Sequence, residues 1–307
     1  MGSPDFSIPT LHIMNENFNV VGVFTQPPRP SGRGMNLKRS PVHLIADELN
    51  LKIYTPKSLK NNNEVKKEIS DLKPDYLIVV AYGIILPEKI LKIPKYGAIN
   101  GHASLLPKWR GASPIQRSLE FGEKETGCTS MFMEKGLDTG PILIQKKIKT
   151  QYKDDAISIH KKLSKLTASC LLETVEKFSL GEIKPIKQNS KKASYANKLN
   201  KKEGRINWHL TAEEIFNKLK AFKIFPGVYT YSNNEELKII DGHPASETHN
   251  LSPGTILKNQ NTFNIACGKQ TIFSINLIQK PGKKILTFSE FLRGSKIKVG
   301  DIFDSEQ

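Results

Sequence analysis

The sequence predicts an α/β protein in two parts, a doubly wound domain built on a mostly parallel sheet and then a small β-barrel. Three observations carry that expectation. Apolar runs of strand length alternate with amphipathic helical patterns through the first part of the chain, the succession that builds a parallel sheet from βαβ units. A polar, lysine-rich stretch at 183–204 has no apolar periodicity. Beyond it, short apolar runs follow one another with turns between them, which favours a barrel of the oligonucleotide-binding kind.

In chain order, residues 19–25 and 51–55 are short apolar runs, and 75–81 (DYLIVVA) is a continuous one, as expected of strands buried on both faces. Between them, 41–49 places Val42, Ile45, Ala46 and Leu49 on one helical face, and 62–72 reads as a second helix. Ligands of such a sheet collect beyond the carboxyl ends of its strands, so the site is expected there. The stretch 183–204 reads as a basic linker between a domain at 1–182 and another at 205–307. In the second domain an amphipathic helix at 211–222 precedes strand-like runs at 228–231, 237–240, 263–267 and 272–278.

At 307 residues, either part can bury a core. The formal charge is +16 and the pI is about 9.6, with the excess spread over both parts. That favours an extended anionic partner, nucleic acid first, although a Lys- and Asn-rich composition gives the same excess without a partner. Cys128, Cys170 and Cys267 are odd in number and lie far apart, with neither C-x-x-C spacing nor His partners, so no disulfide framework and no metal site is expected. No apolar run approaches the ~18 residues of a membrane span, and no charged segment followed by an apolar one opens the chain. The expectation is a soluble protein of a reducing compartment, bacterial cytoplasm or organellar matrix, monomeric and free of the membrane. Met1-Gly2 would suit a lipid anchor, but Phe6 stands where that chemistry needs Ser or Thr.

The densest chemical signal runs from 98 to 143, where AINGHASLLPKWRGASPIQ is followed by MEKGLDTGPIL. Asn100 and His102 stand two apart, so in an extended segment their side chains project to the same side. Asp138 sits in a Gly-Leu-Asp-Thr-Gly turn of the sort that holds a carboxylate against an imidazole. Together they resemble an acyl-transfer site: an amide to stabilise an oxyanion, and a base for the proton that an attacking amine must lose. Whether His102 or Asp138 takes that proton is open at the level of sequence. Taken singly, Asn-x-His at a strand end and Asp in a turn are ordinary turn residues.

In order and spacing, these residues resemble the folate-dependent formyltransferases, whose hallmark is an Asn, a His and an Asp in N-x-H-x-S-L-L-P and G-x-D-x-G contexts. The branch acting on methionyl-tRNA is singled out by further words: Gly2 to Phe6, TQPPRPSGRG at 25–34, YANKLNKKEGRINW at 195–208, AFKIFPGVYT at 221–230 and QKPGKKILTFSEFLRG at 279–294. Glycinamide-type members lack this second half. The resemblance implies a Rossmann-like catalytic domain at 1–182, a tRNA-binding barrel at 205–307, and transfer of formyl from 10-formyltetrahydrofolate to the amino group of initiator methionyl-tRNA, with no metal. It makes Asn100, His102 and Asp138 the catalytic set. It assigns Ser104, Leu105, Leu106 and Pro107 to the folate, with Tyr82, Gly83 and Leu137 lining an apolar pterin slot. Arg33 resembles the arginine that enters the acceptor stem, supported by Arg29, Lys38 and Arg39, residue types that suit phosphates and unstacked bases; the bland alternative is a solvated charged loop.

Three departures stand out. Pro28 replaces a usual acidic residue, and Asn207 replaces the Asp of an Ile-x-Trp motif. Members also begin with a short apolar strand leading into the Gly-Ser-Pro-Asp-Phe loop, whereas here Met1 immediately precedes that loop. The expectation is that this central strand lies upstream of Met1 or has been lost by truncation, leaving neighbouring strand edges open. The rival readings are a sugar-nucleotide formyltransferase, which would have no use for the basic loop, a folate-dependent hydrolase, and an RNA-binding protein without catalysis.

Overall fold

The computed structural model describes residues 1–31, 35–259 and 262–304. They form two compact units, one of Met1–Pro114, Glu125–Lys149 and Ile159–Ala196, the other of Ile115–Lys124, Thr150–Ser158 and Asn197–Gln307.

The first unit opens with α1 (Ile8–Asn17), β1 (Val23–Phe24) and a hairpin of β2 (Arg29–Ser31) and β3 (Asn36–Lys38). Then come α2 (Pro41–Glu48), β4 (Ile53–Tyr54), α3 (Asn63–Asp71), β5 (Tyr76–Val79), α4 (Glu88–Leu91), β6 (Gly97–His102) and β7 (Arg110–Gly111). After α5 (Pro114–Glu120), which lies mostly in the second unit, the first is completed by β8 (Glu125–Phe132), β9 (Ile142–Lys149), most of α6 (Ala156–Ser179) and β10 (Tyr195–Ala196). The helix starts follow from local chemistry. The Ser40 side chain accepts from the amide of His43 with Pro41 in the first turn, and Asn62 accepts from the amide of Val65, satisfying donors that a helix end leaves free. Val65 and Ile69 then turn one face of α3 into a core shared with Phe24, Leu77, Val79 and Tyr82.

The sheet departs from the expected mostly parallel arrangement. β1 pairs with β4, and β5 with β6, in parallel, but β8 runs antiparallel to both β6 and β9. For β8 and β9 the reason is the connection: they follow one another through the loop 133–141, which joins antiparallel neighbours, whereas a parallel pair needs a crossover. The result is a mixed α/β sheet. Its two halves are joined through the first residues of the chain. The Met1 amine donates to the Ile78 carbonyl at 2.7 Å, the Val80 amide to Met1 O at 2.9 Å, and the Gly2 amide to Phe24 O at 3.0 Å. Towards their amino ends β1 and β5 part around a cavity of about 480 Å³ walled by Leu11, Met14, Val23, Ile69, Leu77 and Val175. Thr10, also in its wall, has a buried hydroxyl with no hydrogen-bond partner.

In the second unit, α7 (Ala212–Ala221) carries a reciprocal cap between Thr211 and Glu214. It precedes β11 (Val228–Ser232), β12 (Glu235–Ala245), β13 (Ile256–Asn259), β14 (Thr262–Ala266), β15 (Ile272–Gln279), β16 (Ile285–Thr287) and α8 (Phe288–Arg293). The sheet order is β11-β12-β15-β14-β13, all antiparallel, with β16 also on β15. An irregularity between Ile239 and Gly242 curls β12, as bulges do. The closed barrel expected from the strand spacing does not form; the sheet is an open half-barrel. β14 and β16 share one edge of β15, so six strands occupy only five positions around the curve, and no ladder joins β11 to β13 among the described residues. Trp208, fully buried, lies against Phe273 and Phe303 and donates its indole N–H to Thr230 at 3.0 Å. Among the described residues no helix is long and apolar enough to cross a membrane.

Candidate active site

β6 places two of the expected groups. Asn100 and His102 are alternate residues of this strand and share a face, while Gly101 between them turns to the other. A Cβ on Gly101 would come within 2.6 Å of Thr167 and 2.8 Å of Leu171, so glycine here lets α6 pack directly on the strand. In the ladders Asn100 stands opposite Val79 of β5 and Met131 of β8. Its side chain is partly buried.

Asp138 arrives from the loop between β8 and β9, in the left-handed conformation at φ +51°. Its Oδ2 lies 3.7 Å from His102 Nδ1 and accepts the Gly111 amide at 2.8 Å. At 3.7 Å the carboxylate and ring are an electrostatic pair rather than a hydrogen bond. His102 Nε2 lies 2.9 Å from Trp109 O. A carbonyl only accepts, so Nε2 carries the hydrogen, and in the neutral ring Nδ1 is the basic nitrogen. His102 is 7% exposed and the Asp138 side chain 15%, so water screens this pair weakly.

Sequence reasoning did not assign the backbone that sets this geometry. Trp109 adopts φ +63°, a conformation costing a non-glycine residue about 1–2 kcal/mol, and its carbonyl meets the imidazole. Gly111, at φ +120°, runs beside β10, where a Cβ would lie 2.7 Å from Ala196 O. The only signal was that Arg110-Gly111 belongs to the quoted motif; nothing local announces which carbonyl or amide is used. Arg110 and Gln188, both buried, also flank the site: the guanidinium Nε and Nη2 donate to Gln188 Oε1 at 3.1 and 2.8 Å.

The other expected site residues are distributed as follows. Ser104 is fully buried and donates to Lys108 O at 2.7 Å. The Leu106 amide donates to Thr129 Oγ1, with Leu106 buried and Leu105 and Pro107 partly so. The Tyr82 ring lies in the core beside Phe24 and Leu77; its hydroxyl is buried without a hydrogen-bond partner, and burial pushes its pKa up. Gly83 is exposed at φ +75°, as are Ile85 and Leu137, apolar side chains on loops after β5 and β8. Arg29 and Lys38 stand opposite each other in the β2–β3 hairpin, both exposed, and Arg39 pairs with Asp47 at 3.2 Å. Arg33 lies outside the described residues. Among the described residues no cluster of His, Cys, Asp and Glu is placed to hold a metal. The 480 Å³ cavity between β1 and β5 is lined by none of Asn100, His102 and Asp138.

A profile of the formyl transferase family matches residues 7–175, and one of the formyl transferase C-terminal domain matches 198–296. The chain is 42% identical over 303 residues to the methionyl-tRNA formyltransferase of Clostridium novyi, covering 98% of each. It is 41% identical over 300 residues to that of Rickettsia bellii, covering 97% of each. Among solved structures, it superposes on the N-formyltransferase from Helicobacter canadensis in complex with folinic acid and dTDP-3-aminofucose with a TM-score of 0.66 at 19% identity, over 89% of this chain and 96% of that one. It also superposes on HypX from Aquifex aeolicus in complex with tetrahydrofolic acid with a TM-score of 0.56 at 18% identity, over 85% of this chain and 47% of that one. At these identities the likeness to the solved structures is one of fold.

Proposed function

The chain belongs to the methionyl-tRNA formyltransferase family, and from that premise we propose that it moves a formyl group from 10-formyltetrahydrofolate to the amino group of initiator methionyl-tRNA. The observation that supports this reading best is the imidazole of His102, whose Nε2–H is committed to Trp109 O while Nδ1 faces Asp138. The amine attacks the formyl carbon, the new C–N bond forms, and the carbonyl oxygen becomes an oxyanion within reach of the Asn100 amide. The proton released by the amine passes to His102 Nδ1, and Asp138 stabilises the resulting imidazolium across 3.7 Å. Collapse of the tetrahedral species breaks the bond to the folate nitrogen, which takes up that proton as it leaves.

The donor's requirements fit the residues present. Segment 104–107 runs directly beyond the strand that carries Asn100 and His102, and exposed Ile85 and Leu137 offer apolar surface for a flat ring. Asn100, His102 and Asp138 thus form the catalytic set, with Ser104, Leu105, Leu106, Pro107, Tyr82, Gly83 and Leu137 as the folate segment. Residues 1–182 would house the chemistry and 205–307 bind tRNA, while 183–204, besides linking them, would lend Gln188 to the site.

For the tRNA, the β2–β3 hairpin sets Arg29 directly opposite Lys38. Like charges facing across a ladder cost stability on their own, a cost that a phosphate between them removes. Arg33→Ala is expected to weaken discrimination for the initiator acceptor end while leaving the KM for the folate unchanged. Equal weakening for every tRNA would reduce Arg33 to a phosphate contact.

The direct test offers labelled 10-formyltetrahydrofolate with charged initiator tRNA, charged elongator tRNA and an amino-sugar nucleotide in competition. Label on the initiator alone is the expected result. Label on the sugar would keep the chemistry and overturn the acceptor.

A further inference from the structure

We propose that Gln188 is a positioning residue of the formyl-transfer site, holding Asp138 against His102; this rests on the catalytic reading above. The Gln188 amide uses its full hydrogen-bonding capacity in one place. Nε2 donates to the carbonyls of Asp138 and Gly140, both at 2.8 Å, and Oε1 accepts Nε and Nη2 of Arg110 at 3.1 and 2.8 Å. The orientation of the amide is therefore fixed: flipped, it would set NH₂ against guanidinium and oxygen against two carbonyls. Gln188 is 7% exposed and Arg110 2%, so neither can exchange these partners freely for water.

The two ends of this clamp are the two segments that touch the catalytic pair. On one side is the loop that presents Asp138 at φ +51°. On the other, Arg110 lies between Trp109, whose carbonyl meets His102, and Gly111, whose amide meets Asp138. The residue bearing the clamp is itself anchored two positions earlier, where Ile186 and Ile142 exchange both backbone hydrogen bonds at 2.8 Å. Gln188 thus acts through the backbone of Asp138 and does not itself touch His102.

The test compares Gln188→Leu and Gln188→Glu with the wild type, alone and combined with Asp138→Ala. Gln188→Glu keeps acceptors for Arg110 and sets a carboxylate against the two loop carbonyls, so it isolates loss of the clamp if Gln188→Leu folds poorly. Misplacement of a reacting group by about 1 Å can cost on the order of 10²-fold. The expected result is therefore a kcat lowered about 10–100-fold in either variant, with KM for both substrates little changed. In the Asp138→Ala background neither variant lowers kcat further, whereas general structural damage would multiply with it. At fixed pH the imidazole nitrogen resonances of His102 should shift in Gln188→Glu in the same sense as in Asp138→Ala, whatever the acceptor. Wild-type kcat in folded Gln188→Glu, multiplicative losses, or unmoved His102 resonances would each overturn the proposal. Absence of formyl transfer by the wild type would instead sink the catalytic reading, and the resonances would still report on the clamp.

Discussion

His102→Ala is expected to lower kcat for formyl transfer by about 10²–10⁴, the range that a positioned proton acceptor contributes, with tRNA binding intact. Asn100→Ala should cost about 10²–10³, as for removal of one oxyanion donor. Alanine at 102 also deletes the hydrogen bond to Trp109, so a second variant separates basicity from placement. In His102→Gln the side-chain amide can still donate to Trp109 O but offers no basic nitrogen. If His102 Nδ1 takes the proton, the Gln variant is as slow as the Ala variant in single-turnover transfer. Recovery to near wild-type rate in Gln would show that the ring serves only to hold the 109–111 turn, and would move the proton to Asp138. Asp138→Asn completes the set. It can keep an oxygen for the Gly111 amide but removes the negative charge beside Nδ1, so its loss measures how far that charge stabilises the imidazolium.

An apolar, strand-forming segment of about five residues appended ahead of Met1 is expected to raise Tm by several degrees and sharpen unfolding. Among the described residues no ladder pairs β1 with β5 along the cavity, and the backbone of Met1 and Gly2 bridges them at one end. A strand laid there would supply ladder bonds to both edges and fill about 480 Å³ of largely apolar space. Each buried Val, Ile or Leu contributes about 1.5–3 kcal/mol. Ordering the segment costs about 1–2 kcal/mol per residue, so the side chains and ladder bonds together leave a gain of a few kcal/mol.

A pH signature accompanies this outcome. Burial lowers the pKa of the Met1 amine from its ordinary 8.0 to about 5. Between those values the unfolded chain binds a proton that the folded one does not, so the amine's contribution is complete above pH 8 and lost as pH falls towards 5. Extension converts the amine to an amide, and that part of the slope disappears. Denaturant titrations of both chains at pH 5.5 and 8, values chosen to span about the range over which the linkage acts, provide the measurement. A Tm no higher than that of the unextended chain would show that the cavity does not accept a strand.

Much of this molecule is legible without coordinates. Helices at Pro41–Glu48, Asn63–Asp71 and Ala212–Ala221 fall where apolar periodicity and capping residues place them, because both signals are local. β5 is legible as a continuous apolar run, and the pairing of Asn100 with His102 on one face follows from the two-residue period of a strand. α6 is much less so. Three of its buried positions, Ser164, Thr167 and Thr174, are polar, and Ser164 and Thr174 satisfy their hydroxyls on the carbonyls of Phe6 and Cys170, so the apolar stripe is broken.

What only the tertiary structure decided is non-local. Strand direction in β6, β8 and β9 depends on which edges meet, and a strand's own side-chain alternation is the same in either direction. Closure of the second sheet depended on β14 and β16 sharing β15, which turned an expected barrel into an open half-barrel. Gln188 stands in a stretch without apolar periodicity, and its burial rests on four hydrogen bonds to groups 48 to 78 residues away, interactions that hydropathy does not register. The sequence by itself singled out Asn100, His102 and Asp138 as candidates. The fold determined which nitrogen of His102 is committed to a partner, because only in three dimensions does the Trp109 carbonyl meet Nε2.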